Sequence, residues 1–462
     1  MNFENFKLKK GGNAEPLYKQ LAFEILKEIE TGVIKPGEKL PPVRSLTSQL
    51  GVNASTVVSA YKLLETRRAV YSRRGSGTYA AELNSSKDSF PLHFKDEDEE
   101  KNISEGINFT ASSLPTELFP LGEFKKALNE VLDEEKGAAF GYEDPRGSLP
   151  LRKTLAERKG VNLDNVQIIS GAQQGTDLIA RALLTYGDTV FTENPTYGGA
   201  VSAFKSRGAE VIGINILPDG IDTDELQRLI PLYKPKLVYV MTYFQTPTAY
   251  SCSLKKKRRL LELAYEYGFY IIEEDNLCDF NYSDKEILSL KALDYKNRVI
   301  YIKSFSKVLM PGLRLGYMIM PAAVKDSVIR AKFQADMGSS GFVQLAFDRY
   351  LKSGSFDRHI VKIREYYKQK YSLMCRLLDK YIKPFADYTK PGGGLSFMIK
   401  LKIADPLKLK TILEEKGIFI TVSENSAGNN KAPSPVKLSF ADITNEAMEE
   451  GLREINLILK SI

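Results

Sequence analysis

From residue 107 onward the sequence alternates short β-rich apolar runs with amphipathic helical stretches, and no other pattern in the chain limits its fold so tightly. The runs fall at 166–169, 189–191, 210–214, 237–241, 270–273, 299–302 and 317–320. Helical periodicity follows most of them, for example at 172–185 and 255–267. Strands separated by helices predict an α/β unit with a largely parallel sheet covered on both faces. In such sheets ligands bind beyond the carboxyl ends of the strands. The loops that follow each run are therefore where chemistry is expected.

Those loops carry a coherent set. After 299–302 come Ser304, Ser306 and Lys307, then a bend at Pro311 and Gly312, then Arg314. A lysine at a strand mouth can lose hydration, fall in pKa and attack an aldehyde as the neutral amine. Two serines and an arginine are the donors that a phosphate monoester needs, with arginine giving a bidentate fork. An aldehyde together with a phosphate is pyridoxal phosphate, held as a Schiff base on Lys307. An exposed lysine in a serine-rich turn is the plain alternative for this stretch alone. The other loops favour the cofactor. Ser170 to Gly175 follows a strand and opens a helix, so Gly171, Ala172 and Gln173 offer backbone N–H groups to a phosphate. Tyr197 is placed to stack on a flat ring or to serve as a packing tyrosine. Glu273, Glu274, Asp275 and Asn276 end a strand with carboxylates, one of which can pair with a pyridinium nitrogen.

Composition excludes several classes. Only His93 and His359 are present, which argues against histidine-based metal sites and triads, and no metal is expected. Three cysteines, Cys252, Cys278 and Cys375, form no paired framework and fit a reducing cytoplasm. No apolar run approaches the ~20 residues of a membrane span, so no membrane partner is expected. At 462 residues the chain calls for two or more units. Charge separates them: residues 1–80 hold 13 Lys+Arg against 7 Asp+Glu, while the other 382 hold 52 against 51. A basic first sixth on an otherwise balanced chain points to a polyanion as its partner.

That basic piece is itself patterned. Leu17, Leu21, Ile25 and Ile29 predict a helix after Pro16. A short second helix from Pro42, a break at Gly51 and a third helix through Val57, Tyr61 and Leu64 make a helix-turn-helix. Residues 69–79 predict a hairpin with Arg73, Arg74 and Gly75 at a basic tip. Residues 81–106, with five acidic residues in succession at 96–100, predict an extended linker.

The run Gly32-Val-Ile-Lys-Pro-Gly-Glu-Lys-Leu-Pro41, with Arg44, Leu50-Gly-Val52, Ser55-Thr-Val57, Ala60-Tyr61, Leu64 and Gly75-Ser-Gly-Thr-Tyr79, resembles the winged helix-turn-helix of GntR-type transcription regulators. The resemblance implies that Arg44, Asn53, Ser55 and Thr56 face a double-stranded DNA operator, with the Arg73–Gly75 wing in the minor groove. Ala54 stands where the recognition helix often has arginine. Residues 107–462 resemble a fold-type I aminotransferase with a smaller C-terminal α+β part, and the whole chain resembles the MocR/GabR-type branch. By that likeness Lys307 is the Schiff-base lysine, Arg314, Ser304 and Gly171 to Gln173 hold the phosphate, and Tyr197 stacks. Tyr142 and Lys437 then lie near the effector. Register favours Glu274 for the pyridine nitrogen and residue type favours Asp275. Asn276 replaces a tyrosine near the ring hydroxyl, and Lys437 replaces the arginine that clamps a substrate carboxylate.

The expectation is a cytoplasmic homodimeric regulator with three parts: a DNA-binding head at 1–80, a linker at 81–106 and a pyridoxal-phosphate domain at 107–462. It senses an amine, an amino acid or the cofactor itself and is not an efficient enzyme. The alternative is an active aminotransferase carrying a DNA-binding head.

Overall fold

The computed structural model describes residues 16–461 apart from 31–32, 36, 67–68, 74–75, 82–105, 284–286, 404 and 423–434. Contacts divide the chain into two units, Met1–Lys95 and Asp96–Ile462. The acidic stretch read as a linker lies almost wholly outside the described residues.

In the first unit, α1 (Leu17–Glu30), α2 (Val43–Leu50) and α3 (Ala54–Thr66) precede a hairpin of β1 (Val70–Arg73) and β2 (Gly77–Ala80). The four-residue spacing in α1 turns Leu21, Ile25 and Ile29 inward, where they meet Leu46 of α2 and Val57, Ala60 and Leu64 of α3. Gly51 ends α2 at φ +60°, a left-handed conformation natural to glycine, and its N–H donates to Thr47 C=O at 3.0 Å. Asn53 starts α3, its carbonyl accepting from Thr56 and Val57 N–H. The hairpin is antiparallel, with Val70 opposite Ala80 and Arg73 opposite Gly77.

The second unit begins with β3 (Ile107–Asn108), followed by α4 (Leu121–Glu135) and α5 (Leu149–Lys159). Its central sheet comprises β4 (Val166–Ile169), β5 (Thr189–Asn194), β6 (Glu210–Leu217), β7 (Gly220–Ile221), β8 (Leu237–Val240), β9 (Tyr270–Asp275), β10 (Val299–Ser304) and β11 (Gly316–Ile319). Their spatial order is β4-β11-β10-β9-β8-β5-β6-β7. The neighbours from β10 through β6 are parallel. Helices α6 (Ala172–Leu183) and α7 (Gly198–Lys205) follow β4 and β5. Four strands extend beyond their apolar runs at their carboxyl ends: β5 to Asn194, β6 to Leu217, β9 to Asp275 and β10 to Ser304. Polar residues there are tolerated because neighbouring strands and loops pair them.

Two strands depart from the parallel pattern, the short β7, antiparallel to β6, and β11. β11 is antiparallel to both β10 and β4, with Ser304 opposite Gly316. Residues 305–315 connect β10 to β11 without the helical crossover that a parallel neighbour requires. A smaller C-terminal sheet is built from β12 (Ala386–Tyr388), β13 (Ser396–Leu401), β15 (Thr421–Val422) and β16 (Val436–Ser439), while β14 (Ile418–Phe419) pairs with β3.

Each unit buries its own apolar cluster. Truncating fully buried Leu64 to alanine removes the centre of the first cluster, at a cost of about 2–5 kcal/mol. Hydrogen exchange on the full chain is expected to show lost protection in α1 and α3 and unchanged protection in β8–β10.

Candidate functional site

A cavity of about 350 Å³ opens at the carboxyl ends of β9 and β10, lined by Lys307, Ser304, Ser306, Arg314, Glu274 and Asn276 together with residues of the α6 and α7 starts. Its geometry follows from the β10–β11 connection. Pairing of Ser304 with Gly316 closes the mouth of the 305–315 loop, and Phe305 N–H donates to Leu315 C=O at 3.1 Å. Lys307 and Arg314 are thereby held on one small frame. The frame is also anchored from behind: His359 Nε2–H donates to Val308 C=O at 2.7 Å. Burial lowers the His359 pKa, so the neutral ring serves as a fixed donor.

Within the cavity, the Lys307 ammonium donates to Ser112 Oγ. Ser304 Oγ accepts from Ser306 N–H at 3.2 Å and donates to Ser306 Oγ at 3.2 Å. Arg314 takes the left-handed conformation at φ +50° after the turn at Pro311–Leu313, and its Nη2 donates to Ser170 C=O at 2.9 Å. The guanidinium therefore crosses the start of α6. Gly171 sits there at φ +90°, and a Cβ on it would lie 2.8 Å from Arg314 Nη2. The φ of +90° favours glycine, and without a Cβ there the arginine keeps this place at the helix N-terminus, whose first N–H groups have no intrahelical partner. Gln173 donates through Nε2 to Gly199 C=O at 2.9 Å. Its Oε1 is buried without a hydrogen-bond partner, as is Asn276 Oδ1 across the cavity. Tyr197 caps the start of α7 and lines the same space.

Glu274 and Asp275 separate cleanly. Consecutive strand residues point to opposite faces, and the cavity wall contains Glu274 but not Asp275. Glu274 Oε2 accepts from Tyr239 OH at 2.9 Å, and its other oxygen accepts from Asn276 Nδ2. Burial pushes the Glu274 carboxyl up, and these two donors only partly offset it. Asp275 faces the opposite side, where Tyr301 OH donates to it at 2.5 Å and Lys303 Nζ lies 3.4 Å away. Burial alone would raise Asp275, but the Lys303 ammonium together with hydrogen bonds from Cys278 and Tyr301 outweighs it and holds the carboxyl below its usual range. Lys303 also pairs with Asp279 at 2.6 Å. Asp275, grouped with the cofactor residues on residue type, is thus committed to a buried ion pair outside the cavity.

Lys437 is 5% exposed and lines the cavity from β16. Tyr142 does not reach the cavity within one chain and is 96% exposed. In the head, Arg44, Asn53 and Ser55 are exposed and Thr56 is half-buried. Arg73 closes β1, while Arg74 and Gly75 lie outside the described residues. Sequence reading missed Ser112 and Ser113, which enter from the segment after β3, and Tyr239, which fixes Glu274. No motif marks the serines, because the contact with Lys307 spans 195 positions. Tyr239 had a signal: a hydroxyl in an otherwise aliphatic strand needs a partner.

Behind the cavity wall, Glu193 is buried and accepts from Met241 N–H at 3.1 Å. Gln245 Nε2 donates to Pro195 C=O at 2.7 Å, tying the 194–197 turn that carries Tyr197. Burial pushes the Glu193 carboxyl up to about 8.

Comparison with known proteins agrees with both units. Residues 104–455 match the family described as aminotransferase class I and II, and residues 17–80 match bacterial regulatory proteins, gntR family. The uncharacterized HTH-type transcriptional regulator YcxD of Bacillus subtilis is 33% identical over 94% of this chain and 98% of its own length. NorG, an HTH-type transcriptional regulator of Staphylococcus aureus, is 27% identical over 92% of this chain and 100% of its own. The structure of LysN, an α-aminoadipate aminotransferase from Thermus thermophilus complexed with N-(5'-phosphopyridoxyl)-L-leucine, superposes with a TM-score of 0.72 at 30% identity. It covers 77% of this chain and 92% of that one.

The raised Glu193 carboxyl carries a pH signature. Between its ordinary value of 4.5 and about 8 the folded state keeps a proton that the unfolded state has released. Stability therefore falls as pH rises through that window, by up to about 1.4 kcal/mol per pH unit for one proton. Urea titrations at several pH values are expected to show this slope in the native chain and a flatter one in Glu193→Gln.

Proposed function

The chain belongs to the aminotransferase class I and II family and carries a gntR-family head, and on that premise we propose that it is a pyridoxal-phosphate-dependent transcription regulator. The observation that carries this reading is the convergence of Lys307, Arg314, Ser304 and Glu274 on one cavity, in a chain whose basic first 80 residues include a helix-turn-helix from Leu17 onward. The parts divide as a DNA-binding head at 1–80, a linker at 81–106 and a cofactor and effector domain at 107–462.

The cavity suits the cofactor on three counts. Arg314, Ser304, Ser306 and the N–H groups of Gly171, Ala172 and Gln173 give a phosphate its donors, and the absence of a side chain at Gly171 leaves the space. Glu274, held by Tyr239, faces the cavity as a carboxylate for a ring nitrogen. The unpartnered Gln173 Oε1 and Asn276 Oδ1 are acceptors awaiting donors. When bound, pyridoxal phosphate supplies an aldehyde for a primary amine and a ring that withdraws electrons. Lys307 provides that amine and hands its proton to or takes it from its surroundings at Nζ, with Ser112 Oγ as the neighbouring acceptor. Tyr197, which lines the cavity, would cover the ring face. Lys437 sets one buried positive charge on the far side of the cavity, where an amine or amino-acid effector carrying an anionic group would place it.

Regulation rather than efficient turnover follows from what that far side lacks. Lysine gives a point charge without the arginine fork that orients a carboxylate, and Asn276 stands in place of a hydroxyl donor. A signal requires the effector to favour one arrangement of the heads over another. A homodimer completes the reading. Tyr142 is 96% exposed, and Phe140, 66% exposed, stacks on Phe342 at 5.1 Å, which leaves aromatic surface for a second copy. Among the described residues no helix is long and apolar enough to cross a membrane, and a cytoplasmic location belongs to the same reading. A working aminotransferase is the second reading, favoured by the intact Lys307 and Arg314 set; steady transamination with pyruvate or 2-oxoglutarate would establish it.

Adding pyridoxal phosphate to the purified protein is expected to raise a visible absorption band, and borohydride reduction to fix one cofactor mass on Lys307. Lys307→Ala is expected to lose both, and their persistence in that variant would overturn the assignment. Arg314→Ala is expected to keep the band but weaken cofactor affinity roughly tenfold to a hundredfold, the scale of one charge-assisted pair. Equilibrium titration of the band checks this.

A further inference from the structure

α3 has two unlike faces. Val57, Ala60, Tyr61 and Leu64 are buried against α1 and α2. The opposite face begins with Ala54, Ser55, Val58 and Ser59, all exposed, and Val58 keeps 41% of its surface. The first charged side chain in the helix is Lys62, two turns in. An exposed valine on an arbitrary surface means little. Here it stands on the second helix of a helix-turn-helix, whose N-terminal residues meet base edges in the major groove.

Side chains that read guanine in that groove are arginine and lysine, and those that read adenine are asparagine and glutamine. The first two turns of α3 carry none of them, and Asn53 precedes the helix. What they present is the Ala54 methyl, the Val58 isopropyl group and serine hydroxyls. An apolar side chain at a base edge has one matching feature available, the 5-methyl group of thymine. Resting on the DNA-binding reading above, we propose that Ala54 and Val58 form an apolar reading edge that selects thymine within each operator half-site. The two residues are one turn apart on one face, about 6 Å along the axis. They therefore address base pairs within about two steps of one another, at about 3.4 Å per step. Phosphate contacts fall to other parts of the basic head, such as exposed Arg44 on α2. Those contacts fix register without carrying sequence information, so base choice and charge reside on different helices.

The full-length protein with its cofactor is used to enrich duplexes from a random-sequence library. Each thymine of the enriched half-site is then replaced singly by deoxyuridine, which keeps the base pair and removes the methyl. The expected result is one or two positions where wild-type affinity falls roughly fourfold, the worth of a buried methyl. Val58→Ala, an exposed change to a strong helix former, is expected to abolish that penalty at one position and leave the others. Guanine–cytosine pairs at the contacted positions, indifference to deoxyuridine throughout, or an unchanged penalty in Val58→Ala would each overturn the proposal. A protein that enriches no sequence and retards no duplex overturns the DNA-binding reading itself, whereas a bound but methyl-blind protein overturns this inference alone.

Discussion

The pairing of Ser304 with Gly316 holds the site together. β10 and β11 run antiparallel, so their connection can be short, and both ends of it are tied at the same end of the sheet. Lys307 and Arg314 are seven positions apart in a loop that would otherwise have many conformations, each adding entropy that binding would have to overcome. The strand pair removes most of them, and the His359 contact to Val308 removes more. Gly171 beside Arg314 is fixed mainly by its φ of +90°, and a side chain there would also displace the guanidinium. One antiparallel register thus sets the lysine and the arginine beside the helix start, and together they suit a phosphorylated aldehyde.

The second determinant is how β9 distributes its acids. Glu273, Glu274 and Asp275 are all buried, and three carboxylates in one strand would be ruinous if left alone. Each has a different solution. Glu273 accepts from Thr242 Oγ1 and from the N–H groups of Leu290 and Lys291. Asp275 is neutralised by Lys303 on the far face. Glu274 has only neutral donors, Tyr239 and Asn276, and its carboxyl is pushed up by burial. Of the three, it alone lines the cavity. A cationic ring nitrogen would relieve the cost that burial imposes on it, so the same desolvation that penalises the empty carboxylate favours the bound cofactor.

Charge is divided between the units as well. The excess positive charge falls within residues 1–80, whose described part has its own apolar cluster, while the rest of the chain is close to neutral. The basic surface meets a polyanion, and the larger unit supplies a polar cavity with a few fixed charges. The two kinds of recognition draw on different physics: screened, long-range attraction for the first, and desolvated short-range donors for the second.

The alternation of apolar runs and helical periodicity was enough to place nearly every strand of the central sheet and the three helices of the head, because burial on one face or two is written directly into residue spacing. Lys307, Arg314, Gly171 and Tyr197 were legible for a related reason: each lies within a few residues of a strand end, where the fold class itself directs attention. Other features were decided only in three dimensions. That β11 runs antiparallel depends on the length of its connection and on what lies beside it. Ser112 meets Lys307 across 195 positions, and Tyr239 meets Glu274 from a neighbouring strand. The choice between Glu274 and Asp275, on which register and residue type disagree, was left open by the sequence because it turns on the phase of β9. A one-residue shift exchanges the two faces of a strand, and only packing against β8 and β10 fixes which carboxylate enters the cavity.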